Sequence, residues 1–221
     1  MLKKLYEKSE IWFAAAWIIA YVVLASMGDN VSADLGVDKI VTLPILIVLS
    51  AILYFFVRKN GLTEKYGLCK PRLPAAKMLY YIPMLVLLTA NLWYGVALNQ
   101  SPLETVLYVL SMFCVGFLEE MIFRGLLFQA MAKDGVKSAI IVSSVTFGIG
   151  HIVNLFNGSG AELLPNLLQV LYAVAVGFAF LFNKIKIRKA KGVMIYMIGL
   201  FGLVELATVL VIYILKTKNI I

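Results

Sequence analysis

The run IWFAAAWIIAYVVLASM, which begins at Ile11, is long enough to cross a lipid bilayer, and comparable runs recur along the chain. Spanning segments need about 20 mostly apolar residues in a helix, because hydrocarbon offers no partner to an unpaired backbone N–H or C=O. Seven such helices are expected, over roughly 11–27, 40–57, 77–98, 103–131, 137–156, 163–183 and 192–215. With 62% hydrophobic and 14% charged residues in 221, the chain has too little polar surface to cover a water-soluble fold. The fold class is therefore an all-α, polytopic transmembrane helix bundle, read as a single membrane domain over residues 1–221.

The connections between the runs alternate in charge. Lys3, Lys4 and Lys8 precede the first run, and the acidic DNVSADLGVD follows it. RKNGLTEKYGLCKPRLPAAK is basic, NQSPLE is not, AKDGVK carries two lysines and NKIKIRKAK is strongly basic. The positive-inside rule then places the N-terminus and the basic connections in the cytoplasm. Seven spans would leave Lys216 and Lys218 outside, so an eighth crossing by a broken segment is kept open, for about 7–8 spans in all. A net charge of +8 fits loops facing an anionic leaflet, and no nucleic-acid partner is expected. Cys69 and Cys114 do not form a disulfide framework. A cleaved signal peptide ending near Ala25 and Ser26 is the lesser reading, since the run is long for one and further spans follow. Asn30-Val31-Ser32 and Asn157-Gly158-Ser159 match a glycosylation pattern short enough to arise by chance.

Six polar or charged residues interrupt the apolar background: Glu119, Glu120, Arg124, His151, Gln169 and Glu205. An ionised side chain at bilayer depth costs about 2.5–3.5 kcal/mol on insertion scales, so such residues usually face a protein interior. At about 1.5 Å of rise per residue, Glu119 comes out about 18 Å from the cytoplasmic end of its span. By the same count Glu205 lies at about 20 Å, and His151, Gln169 and Asn91 at about 21 Å. Polar groups on five helices at one level point to a polar mid-membrane chamber.

Within that layer, Glu120 and Arg124 stand at i and i+4 with the acid first, the favourable order for a helical ion pair. Their pairing leaves Glu119 for chemistry. Phe147 and His151 share a face, Ser144 lies one turn back on it, and Gly148 and Gly150 permit close helix approach. A glutamate and an imidazole around one water form a workable general-base pair. The bland alternatives are charges at a helix end and a satisfied core histidine; the apolar flanks and the shared depth weigh against both. A metal held by Glu119, Glu120 and His151 is a lesser reading, since no HExxH occurs and one histidine is a poor ligand set. No metal or cofactor is therefore expected. Ser143 and Ser144 lack a third member for serine catalysis. Asn91, Asn154, Asn166 and Gln169 are amides suited to a developing oxyanion, though each taken singly reads better as interhelical glue. A small proton-coupled transporter also accommodates midplane carboxylates, but the two repeat halves it predicts are not visible.

In order along the chain, EEMIFRG resembles the EExxxR signature of the CaaX-protease and bacteriocin-processing family of intramembrane endopeptidases, and TFGIGH resembles its FxxxH signature. LLQVLYAVAVGFAFLF resembles the Gln- and Gly-containing helix that follows. The resemblance covers roughly residues 100–215, which it marks as the catalytic half. It implies a glutamate-dependent endopeptidase, with Glu119 as base, Glu120 as its companion paired with Arg124, and His151, four residues after Phe147, orienting water. It implies a membrane-associated peptide or lipidated protein as substrate, the lipid bilayer as partner, and a bacterial plasma membrane as location. The family's third signature, a histidine four residues before an asparagine or aspartate, has no histidine counterpart in KGVMIYMIGLFGLVELATVL. Leu200 or Phe201 stands near the histidine position and Val204 or Glu205 near the amide, leaving Gln169 or one of the asparagines as a substitute oxyanion donor, with Asn154 among the supporting residues. The alternative reading is a catalytically impaired member acting as a bacteriocin-immunity or scaffolding protein.

Overall fold

The computed structural model describes residues 2–70, 101–157 and 162–186. The spans expected over 77–98 and 192–215, with Asn91 and Glu205, lie outside them. The described residues are helical: α1 (Leu2–Lys8), α2 (Glu10–Asp34), α3 (Thr42–Lys59), α4 (Pro102–Met131), α5 (Val136–Leu155) and α6 (Leu163–Lys186). Four of these, α2 to α5, are long and apolar enough to cross a membrane.

Local chemistry sets the ends. The Ser9 hydroxyl accepts the Trp12 N–H at 3.3 Å and starts α2. Ser101 and Glu104 form a reciprocal capping box with Pro102 in the first turn of α4. Helix α2 runs to Asp34, past the apolar run and through part of the acidic stretch read from sequence as a connection. Two polar residues of that stretch, Asp29 and Ser32, are bonded within the protein. Ser32 donates back to the Gly28 carbonyl at 2.7 Å, while Asp29 accepts from Thr42 at 2.6 Å and pairs with Lys39 at 2.7 Å. That pair holds the turn before α3, where Lys39 adopts a left-handed backbone with φ 64°.

Polar contacts pin both ends of the bundle. At one end Glu10 accepts from Lys65, beyond α3, and from Lys133, beyond α4, each at 2.7 Å. At the other, the Asp38 N–H donates to Glu104 at 3.3 Å, and Asn157 donates to Asp29 at 3.5 Å. The start of α2 therefore shares an end with the finish of α3 and α4, the up-and-down order that the alternating loop charges call for.

Between the pins lies an apolar core. Helix α2 gives it the i, i+4 stripe Phe13, Trp17 and Tyr21; α3 gives Leu46, Leu53 and Phe56; α4 gives Leu118, Met121 and Ile122. Phe13 stacks on Phe56 with ring centres 4.8 Å apart. Outward faces carry Trp12, Ile19, Val48 and Phe55, an apolar surface that lipid and not water solvates, as befits an integral membrane protein. Lipid tails are as apolar as leucine, so helices in a bilayer associate by close packing and hydrogen bonds. Helices α5 and α6 show this most clearly. A Cβ on Gly148 would lie 2.8 Å from the Val170 carbonyl, and one on Gly177 would lie 3.0 Å from the Ser144 side chain.

Candidate active site

The middle of α4 departs from α-helical winding. Residues Glu120–Leu127 form a π-helix, and all eight are buried. The π-helix closes i→i+5 rings where the α-helix closes i→i+4, so it re-phases the helix faces on either side of it; such segments recur at functional sites. Glu119 stands at its entry and Arg124 inside it.

Two adjacent acids are thereby sent to different places, as their sequence positions led one to expect. The Glu120 carboxylate lies 3.5 Å from the Arg124 guanidinium, with both side chains almost fully enclosed. Glu119 instead lines a cavity of about 550 Å³. His151, the first residue of the 3₁₀ turn that ends α5, lines the same cavity, as do Phe147, Asn154 and Gln169. Two of the five helices that sequence reading placed in one polar layer lie outside the described residues; the other three, α4, α5 and α6, bring Glu119, His151 and Gln169 to one space.

Ring contacts order this wall. Arg124 sits with its guanidinium carbon 3.8 Å from the centre of the Phe147 ring, a desolvated cation–π contact. Phe147 meets Phe123 edge-on at 5.3 Å and His151 edge-on at 5.4 Å. Arg124 acts electrostatically on both Glu119 and His151. The EExxxR and FxxxH residues thus form one contiguous group, with the arginine at its centre.

The amides divide. Asn166 donates to the His151 carbonyl at 2.8 Å and so fixes the turn from α6, the glue role that was favoured for it. Asn154 donates to the Gln169 side-chain oxygen at 3.1 Å and accepts from Asn157 at 3.4 Å. With its oxygen engaged, Gln169 keeps its NH₂ as a donor at the cavity wall. Of the glycines before the histidine, Gly148 makes the close approach, whereas Gly150 has open space around it and lines the cavity. Ser143 donates to the Phe123 carbonyl at 2.7 Å, tying α5 to α4, and lies off the cavity wall. Among the described residues, no three His, Cys, Asp or Glu side chains come together as a metal site.

Sequence reasoning missed the contribution of α2. Tyr21 donates to the Glu119 carboxylate at 3.2 Å, and Asp29 lines the far part of the same cavity. The available signal was the aromatic stripe Phe13–Trp17–Tyr21, in which a buried phenol must find an acceptor.

No curated protein and no solved structure matches the chain. Residues 101–221, from the cap of α4 onward, match the family described as type II CAAX prenyl endopeptidase Rce1-like. That match spans more than half of the sequence and contains both signatures that meet around Arg124, so the chain belongs to the Rce1-like family of type II CAAX prenyl endopeptidases.

Proposed function

We propose that the protein is a glutamate-dependent intramembrane endopeptidase that cleaves a peptide bond in a membrane-associated, lipidated chain. The observation that carries this reading is the shared cavity: Glu119 and His151 line one space, large enough for water and a peptide segment, while Glu120 is neutralised by Arg124 outside it. Family membership supports the peptidase activity and a prenylated substrate.

In the proposed reaction His151 orients a water and Glu119 takes its proton. The hydroxide adds to the scissile carbonyl, and the resulting oxyanion is met by the Gln169 amide. The C–N bond then breaks, and Glu119 returns the proton to the departing amine. The products are a new carboxylate on one fragment and a new amine on the other. General-base assistance of this kind is worth about 10²–10⁴ in rate. Asn154 supports the oxyanion donor by holding the Gln169 oxygen, and Phe147 supports His151 by edge contact.

The reading includes the cavity as a mid-membrane chamber in a bundle of about 7–8 spans, with a cytoplasmic N-terminus in a bacterial plasma membrane. Residues 100–215 act as the catalytic half of one domain; Glu205, a candidate site residue from the sequence, lies outside the described residues. The test is cleavage of a quenched-fluorescence prenylated CAAX peptide by the full chain in proteoliposomes. Glu119→Gln and His151→Ala should abolish cleavage while the protein remains inserted; full activity in both overturns the reading.

A further inference from the structure

We propose that Tyr21 is a positioning residue for the general base: its phenol holds one oxygen of the Glu119 carboxylate and turns the other toward the cavity. The inference rests on the reading of Glu119 as that base. It also gives the N-terminal part of the chain, which lies outside the family match, a role in the chemistry.

The geometry comes from packing between distant segments. The Tyr21 hydroxyl donates to Glu119 Oε1 at 3.2 Å across 98 residues of sequence. The tyrosine is buried, one turn beyond Trp17 in the core stripe of α2, and it also lines the cavity. Helix α2 packs along the π-helical segment of α4, so the hydroxyl is delivered to Glu119 by a fixed crossing of two helices. A buried carboxylate without donors is costly, and so is a buried phenol without an acceptor. Each group answers the need of the other, in a charge-assisted bond stronger than a neutral one.

A glutamate side chain has three rotatable bonds, and a base must present a lone pair to water at hydrogen-bond distance. Tethering one oxygen removes the orientations in which the carboxylate turns away, which is preorganisation of the reacting geometry. The phenol keeps its proton throughout: the proton from water goes to the untethered oxygen of Glu119 and then to the amine.

A purely structural tyrosine would contribute its ring alone, so the test removes or alters the hydroxyl and leaves the ring. In proteoliposomes with the same prenylated CAAX peptide, Tyr21→Phe should lower kcat about tenfold or more, with KM within about twofold. Replacing Tyr21 by 3-fluorotyrosine, whose hydroxyl is a more acidic donor, should keep kcat within about twofold of the wild type. Wild-type kcat in Tyr21→Phe, or a 3-fluorotyrosine protein as slow as Tyr21→Phe, overturns the proposal. Should Tyr21→Phe fail to insert, the kcat–pH profile of the 3-fluorotyrosine protein decides: a limb displaced from that of the wild type supports the role, because the more acidic phenol changes the bond to the base, and a profile identical to the wild type overturns it. Glu119→Gln is measured alongside. An active Glu119→Gln protein overturns the base itself, whereas an inactive one beside a fully active Tyr21→Phe overturns only the role of Tyr21.

Discussion

Arg124 places its guanidinium carbon 3.8 Å from the centre of the Phe147 ring, while its Nε faces Glu120 at 3.5 Å. One cation therefore joins the first signature to the second. It does so deep in the protein, where an unpaired charge has no water to turn to.

Removing that cation should destabilise the bundle more than removing the pair. Arg124→Ala leaves Glu120 buried and unpaired, at a cost of about 3–5 kcal/mol. The double variant Glu120→Gln, Arg124→Met should recover a substantial part of the loss, because hydrophobic replacement of a buried pair is often neutral. Thermal unfolding in detergent micelles measures both, and a double variant no more stable than Arg124→Ala contradicts the account.

At Gln169 the expected effect is on rate. Losing one oxyanion donor costs about 10²–10³ in kcat, so Gln169→Leu should fall in that range with insertion unchanged. Gln169→Glu should be slower still, since it sets a carboxylate where negative charge develops. Single-turnover cleavage of the prenylated peptide reads both values; a Gln169→Leu enzyme at wild-type speed would assign the oxyanion to another donor.

Two glycines on α5 make a matched pair for packing. Gly148→Ala drives a methyl to 2.8 Å from the Val170 carbonyl, and backbone there cannot move aside without parting α5 from α6. A loss of about 1–3 kcal/mol is expected, as for other overpacked sites. Gly150 has helical φ −53° and open space, so Gly150→Ala should be neutral or slightly stabilising. Comparing their melting midpoints checks the crossing directly.

Alkaline pH should loosen the pin at the N-terminal end. Burial works against the Lys65 ammonium, but its bonds to Glu10 and Tyr6 outweigh that and hold its pKa above the ordinary lysine value. A group whose pKa is raised on folding contributes stability in full below its unfolded value, about 10.4, and loses it as pH climbs through the folded value. Lys65→Met should therefore melt lower than the wild type at neutral pH, and the gap should close above about pH 10.4. A gap independent of pH would mean that the ion pair contributes nothing.

Much of this arrangement is legible in the sequence because it is local. The spacing of Glu120 and Arg124 foretells their pairing, and that of Phe147 and His151 foretells their shared face. Alternating loop charge foretells which helix ends meet at Glu10. What escapes is non-local. Tyr21 looks like one more aromatic in an apolar run until α2 is laid on α4. Asp29 looks like the start of a loop until Lys39 and Thr42 close around it and let the helix continue. The π-helical stretch has no periodic mark of its own, since the burial of all eight residues hides which winding they adopt.

That winding explains the odd spacing of the motif. In a regular α-helix, residues five apart face directions about 140° apart, and an arginine there would serve only the acid four residues before it. Within the wider coil Glu120 stays 3.5 Å from Arg124 while Glu119, at its entry, faces the cavity. The two consecutive acids are held apart by that winding, so inserting or deleting a single residue between Glu120 and Arg124 would break the pairing that keeps Glu120 out of the site.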